Sequence, residues 1–260
     1  MGWRGSSRMR CLVINLARAK DRLAAAMAQF RDAGINLERL DAVDARLLTK
    51  AEMDAAVRRF RFYVANARRI RPCEIACALS HMKCWREAFK DGTPVAAVFE
   101  DDITILDPKG LHDALEAIEH ENDPDVPTVW LLHRGIPRGR DMSGRWYDLL
   151  AADDVGRSWC AAAYALNAAA GKRLAEILTP IVNVSDSWST FARCGVRVLV
   201  ATKPCAGFPK QVVFASTIER RPGGMWRFAW FRRFYWWRVR VCFWIDLALK
   251  RLEGKRTGLA

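Results

Sequence analysis

Val95-Ala96-Ala97-Val98-Phe99 runs without a break into Glu100-Asp101-Asp102. Five successive apolar residues do not alternate as a half-buried strand does. They read as a strand covered on both faces, in the middle of a sheet. The carboxylates follow at that strand's carboxyl end, where open α/β sheets bind their ligands. Adjacent acids repel one another and are costly unless water or a cation neutralises them. A hard divalent ion with oxygen ligands would do so, and would also bridge to a diphosphate. A solvated acidic turn is the plainer alternative, and the three residues alone leave both open.

Upstream, Cys11-Leu12-Val13-Ile14-Asn15-Leu16 reads as a second buried strand. Residues 19–33 carry helical periodicity through Leu23, Met27 and Phe30, with Gly34 as the stop. Residues 35–43 read as a strand with a polar exit, completing a strand–helix–strand unit, the signature of a parallel sheet. Residues 45–71 are rich in Arg and lack a strong period, so helix and loop are expected there. Pro72 opens a helix to about Lys90, with Glu74 in its first turn. Downstream, a helix is expected over 111–121 and a strand over 129–132. Residues 133–157 read as loop and 159–166 as a strand. Asn167 suits the N-cap of a helix to about Leu178, and 196–201 reads as a late strand.

The 260 residues suffice for one large α/β domain. The formal net charge of +13 favours anionic partners without choosing among them. It is concentrated: ten Arg or Lys against Asp246 and Glu253 give the stretch from Arg221 onward +8 of that excess. The expected organisation is a basic extension over 1–9, one domain over 10–220, and a basic, aromatic tail over 221–260. The eight cysteines are too sparse for a secreted disulfide scaffold, and residues 1–10 lack the apolar run of a signal peptide, so reduced thiols and a cytosolic setting are expected. Cys73, Cys77 and Cys84 can share a helical face. With no CxxC and no Cys/His pair recognised beside them, they read as small buried hydrophobes rather than zinc ligands. No stretch reaches the ~18 apolar residues that a membrane span needs. There is no P-loop or glycine-rich phosphate signature.

An ordered set of motifs carries more information. Ile14-Asn15-Leu16-Ala17-Arg18 with Arg22, Asp41-Ala42-Val43-Asp44, Glu74-Ile75-Ala76-Cys77-Ala78-Leu79-Ser80-His81 with Trp85, and Val98-Phe99-Glu100-Asp101-Asp102-Ile103 resemble, in order and spacing, the motifs of family 25 glycosyltransferases. Weaker matches at Tyr164-Ala165-Leu166, Asp186, Pro204 and Gln211 extend the resemblance to roughly residues 10–220. Two departures stand out: Cys73 replaces a usual glycine, and Leu132-His133-Arg134-Gly135 replaces an apolar–glycine segment, which bears on sugar specificity.

The resemblance implies a GT-A-like fold: a Rossmann-related, mostly parallel sheet flanked by helices, here with a basic aromatic helical tail. It implies a UDP-sugar donor, galactose being the expected sugar, and a bacterial lipopolysaccharide- or lipooligosaccharide-type acceptor. Glu100 and Asp102 take the place of the metal-binding pair for Mn2+ or Mg2+. Asn15, Arg18, Arg22, Asp41, Asp44, His81 and Asp101 become donor-site residues. Read without the resemblance, Arg18 and Arg22 are equally a solvated basic face, Asp41 and Asp44 turn caps, and His81 a satisfied core histidine. Inverting transfer needs a base for the acceptor hydroxyl. Asp186, in Val184-Ser185-Asp186-Ser187-Trp188, is the candidate, with Trp188 available to stack on sugar; an ordinary helix N-cap is its alternative role.

Residues 225–252 hold ten aromatics and seven Arg or Lys with one acid. As a helix, Trp226, Trp230, Phe234, Trp237, Val241 and Trp244 form one apolar stripe. Trp and Arg together suit an anionic membrane surface. Packing on the body and single-stranded nucleic acid are the alternatives, and nucleic acid is not expected. The protein is thus expected in the cytoplasm, peripheral at the inner face of the bacterial inner membrane.

Overall fold

The computed structural model describes residues 9–66, 68–133, 144–149 and 160–208, with Trp237, Val241, Trp244, Ile245 and Ala248. The strands are β1 (Arg10–Asn15), β2 (Leu37–Asp41), β3 (Val95–Glu100), β4 (Thr104–Ile105), β5 (Thr128–Leu131), β6 (Trp146–Asp148), β7 (Ala163–Asn167), β8 (Arg197–Ala201) and β9 (Ala206–Gly207). The helices are α1 (Lys20–Asp32), α2 (Lys50–Ala56), α3 (Arg59–Asn66), α4 (Pro72–Ala88), α5 (Pro108–Glu121), α6 (Ala168–Leu178) and α7 (Trp188–Arg193).

Seven strands form one mixed sheet in the order β2-β1-β3-β7-β5-β8-β6. β2, β1, β3, β5 and β8 run one way, and β7 and β6 run against them. The sheet is therefore mainly parallel, as expected. β4 and β9 pair as a separate two-stranded ribbon.

Pleating sends alternate residues to opposite faces. Leu12 and Ile14 of β1, with Ala96 and Val98 of β3, pack against Trp85 of α4, Leu174 of α6 and Phe191 of α7. Cys11 and Val13, with Val95, Ala97 and Phe99, pack against Phe30 of α1 and Leu111 and Ile118 of α5. The uninterrupted apolar run of β3 is thus explained: the strand is covered on both sides. α6 comes close to α4 at Gly171, where a β-carbon would lie 2.6 Å from the Phe89 ring. Gly34 ends α1 at φ +72°, as its position suggested.

The structure corrects several boundaries. The Arg-rich stretch 45–71 contains two helices, α2 and α3, the first opened by a reciprocal cap between Thr49 and Glu52. The segment read as loop over 133–157 contains β6, which pairs with β8. The strand expected from Trp159 begins at Ala163. Residues 1–8 and the proposed stripe positions Trp226, Trp230 and Phe234 lie outside the described residues.

Candidate active site

The parallel strands end together. Asn15, last in β1, is in register with Asp41, last in β2, and Ile14 is in register with Glu100, last in β3. Continuing the alternation of β3, Glu100 follows Ala96 and Val98 onto the α4 face. The helix α1 starts directly beyond β1, and its N-cap, Ala19, has no side chain to satisfy the first amides.

Asn15, Arg22, Asp101 and Asp102 form one network. Asn15 Nδ2 donates to Asp101 Oδ2 at 2.6 Å and to the Ala19 carbonyl at 3.0 Å. Arg22 Nη2 reaches Asp101 Oδ1 at 2.5 Å and Asp102 Oδ2 at 2.8 Å. One guanidinium thus serves two carboxylates, both largely out of water. Burial is the main force raising the Asp101 pKa, against the Asn15 hydrogen bond and the Arg22 charge. Burial, then the charge of Glu100, pushes Asp102 up to about 6, although Arg22 pulls the other way. The buried Oδ1 of Asp102 has no hydrogen-bond partner among the described residues, and neither has Arg22 Nε.

Behind Glu100 lies His81, buried on α4. Its Nδ1 is 2.8 Å from the Tyr164 hydroxyl, and its Nε2 is 3.4 Å from Glu100 Oε1. Trp85 Nε1 donates to the same Tyr164 oxygen at 2.8 Å. Burial opposes charge on His81, but hydrogen bonds with Cys77 and Glu100 outweigh it and hold the imidazole up to about 10. Cys77 is one turn before His81 on α4, and its Sγ is 3.3 Å from Ser185 Oγ. Ligand atoms of Cys77, His81 and Glu100 lie within 4.8 Å of one another.

Asp186 joins this group from the other side. Its Oδ2 accepts the Cys160 backbone N–H at 3.0 Å, and Trp188 Nε1 donates to the Cys160 carbonyl at 2.8 Å. Together they hold Cys160 at φ +95°, a conformation costing about 1–3 kcal/mol for a residue with a β-carbon. Burial raises the Asp186 pKa; the Cys160 hydrogen bond lowers it, and the nearby Glu100 charge raises it. The alternative role as helix cap does not hold: Ser187 occupies the N-cap of α7, without a side-chain hydrogen bond. The expectation for Trp188 is also corrected. It is fully buried between Tyr164 and Phe191, and is not available to stack on a sugar.

The other predicted residues sit at the rim. Arg18 pairs with Asp44 at 2.9 Å, and Arg46 pairs with Asp44 at 3.1 Å. These hydrogen bonds, Arg46 foremost, hold the Asp44 carboxyl well below its usual range. Asp41 pairs with Arg39, whose Nε donates to Asn15 Oδ1 at 3.1 Å. Sequence reasoning missed Arg39, Cys77, Ser185 and Cys160. Cys77 carried a usable signal, because Cys77 and His81 are four apart and so share one helical face. The reading that no Cys/His pair accompanies the cysteines is corrected accordingly. The seven described cysteines form no disulfide. Burial pushes Cys11, Cys84 and Cys205 up to about 12.

Residues 9–134 match the profile of glycosyltransferase family 25, described as an LPS biosynthesis protein. The chain is 28% identical over 152 residues to the lacto-N-neotetraose biosynthesis glycosyltransferase LgtB of Neisseria gonorrhoeae, a stretch covering 55% of this chain and 53% of that protein. It is 33% identical over 93 residues to LgtE of Neisseria meningitidis serogroup B, covering 36% of this chain and 32% of the relative. The chain therefore spans about half the first relative and about a third of the second. Among solved structures, a glycosyltransferase involved in glycosylation of the major capsid of PBCV-1 aligns with 10% identity and a TM-score of 0.39, over 74% of this chain and 80% of that one.

Proposed function

We propose, from the match of residues 9–134 to glycosyltransferase family 25, that the chain is a metal-dependent member of that family with a GT-A-like fold. It moves a sugar, galactose in the first instance, from a UDP-sugar to a lipopolysaccharide- or lipooligosaccharide-type acceptor, with inversion. The observation that carries this reading is the network of Asn15, Arg22, Asp101 and Asp102 at the strand ends, with an unpartnered buried oxygen on Asp102.

That oxygen fits a cation. Asp102, with the half-buried Glu100, would hold Mn2+ or Mg2+, which when bound offsets charge on the diphosphate leaving group. Arg22 fixes the directions of Asp101 and Asp102. Asn15 ties Asp101 to the first turn of α1, whose free amides suit a phosphate. Arg18, Asp41 and Asp44 line the outer rim, where ribose or base would lie. His81 orients Glu100 from behind.

Asp186 is the proposed base. The acceptor oxygen bonds to the anomeric carbon while the bond from that carbon to the diphosphate oxygen breaks. The electron pair leaves on the nucleotide, and the hydroxyl proton passes to the Asp186 carboxylate. Burial makes that carboxylate a stronger base than one in water. The acceptor's lipid would bring the protein to a membrane surface, through residues 225–252, at the inner face of the bacterial inner membrane.

A ligand that binds the folded state raises its melting temperature. A UDP-sugar should therefore raise the Tm in the presence of Mn2+, and Asp102→Ala should lose that shift. Asp186→Asn should keep the shift and lose transfer. Arg22 already supplies one cation to Asp101 and Asp102. If no nucleotide gives a Mn2+-dependent shift, a non-catalytic, membrane-bound adaptor on the same fold becomes the better reading.

A further inference from the structure

Cys77, His81 and Glu100 come from two elements that pack against each other. Cys77 and His81 are one turn apart on α4 and present a sulfur and a nitrogen from the same face. Glu100 closes the set from the end of β3. Their ligand atoms lie within 4.8 Å of one another, and His81 Nε2 is 3.4 Å from Glu100 Oε1. Ligands bound at about 2.0–2.3 Å around a tetrahedral ion lie about 3.3–3.8 Å apart, so the His81–Glu100 pair already has that spacing and the rest of the set closes in on the ion as it binds.

The surroundings are built in the same sense. Metal-bound histidines use the second ring nitrogen to hold their orientation. Here Nδ1 faces the Tyr164 hydroxyl at 2.8 Å, and Trp85 Nε1 takes one lone pair of that oxygen at 2.8 Å. The other lone pair can accept the Nδ1 proton, which leaves Nε2 as the metal-facing nitrogen. Tyr164 and Trp85 are fully buried, so the ring cannot readily turn. Cys77 is only half-buried, and its neighbour at 3.3 Å is the hydroxyl of buried Ser185, so a polar oxygen adjoins the sulfur side of the set.

We propose that Cys77, His81 and Glu100 form a binding site for a zinc-class divalent ion, distinct in ligand chemistry from the all-oxygen site assigned to Asp102. Thiolate and imidazole select borderline-soft ions over Mg2+ and Mn2+. Three protein ligands leave the fourth position for water or a substrate oxygen, the pattern of a catalytic rather than a structural zinc site. On binding, the Cys77 S–H proton and the His81 Nε2 proton are both released to solvent as the sulfur–metal and nitrogen–metal bonds form. Both sites use Glu100, so filling one competes with the other for that carboxylate. The inference rests on this geometry and not on the transferase reading.

Cobalt(II) reports the ligands directly, because a bound thiolate gives an intense near-ultraviolet charge-transfer band. Titrating the reduced full-length chain with Co2+ should produce that band, saturating at one equivalent and bleached by Zn2+. Cys77→Ser, with a native circular dichroism spectrum, should lose the band and bind at least tenfold more weakly. Asp102→Asn should keep it, although the Mn2+-dependent donor shift is lost there. Absence of the band, or its survival in Cys77→Ser, overturns the site. Should Cys77→Ser fail to fold, thiol alkylation of the native chain decides: Zn2+ must protect Cys77 selectively, and equal labelling with and without Zn2+ overturns the proposal.

Discussion

Arg22 is the residue on which the acidic cluster depends. Its guanidinium contacts Asp101 and Asp102 at once, and all three side chains are mostly shielded from solvent. Removing one partner of a buried charge pair costs about 3–5 kcal/mol, because the other charge is left without compensation. Arg22→Met should therefore destabilise the fold by roughly 3 kcal/mol. Adding Asp102→Asn should recover part of that loss, since one stranded charge is removed. Urea unfolding of the two single variants and the double variant measures the coupling; additive losses would mean that the contact is not energetically real. The run Glu100-Asp101-Asp102 marked a candidate site in the sequence. Its division of labour did not show there: Asp101 and Asp102 turn to Arg22 and Asn15, while Glu100 turns to His81. That division follows from the end of β3 at Glu100 and the turn that begins at Asp101, and no local pattern states it.

Among the elements, α6 shows how one side chain can fasten several segments. Asn167 Oδ1 accepts from the Ala170 amide at 2.9 Å, capping α6, and from the Thr128 amide at 3.1 Å, holding the start of β5. Its Nδ2 reaches the Asp123 and Val126 carbonyls at 2.9 and 2.8 Å. Loss of an N-cap costs about 1 kcal/mol, and each buried group left unpaired adds about 1–3 kcal/mol. Asn167→Ala should therefore cost roughly 3–4 kcal/mol in denaturant titration. A loss near 1 kcal/mol would mean that water takes over the loop carbonyls. The cap itself was legible, because Asn stands before an Ala-rich helical run. So was the start of α4, where Pro72 takes the first position and Glu74 accepts the Arg71 amide at 2.9 Å. β6 was not legible: three residues amid glycines carry no period, and they become a strand only because β8 offers them an edge.

For the whole molecule, charge and apolar surface converge on the tail. Trp237, Val241, Trp244 and Ile245 are helical, lie on one face by their spacing, and are exposed. No helix among the described residues is long and apolar enough to cross a membrane. Deleting residues 222–260 should abolish sedimentation with anionic vesicles, and added salt should weaken binding of the intact chain. Arg193 lies 5.7 Å from the centre of the Trp244 ring, a contact that would instead dock the tail on the body. Unchanged vesicle binding by the truncated chain would favour that docking. The sheet's strand order carries a different consequence, for synthesis. β7, from residues 163–167, fills the slot between β3 and β5, both of which precede it in the chain. Until the ribosome releases β7, β3 and β5 each present an unpaired edge, a template for pairing with another chain. At roughly 5–20 residues per second that interval lasts seconds, so the nascent chain should need a chaperone most between the emergence of β5 and that of β7.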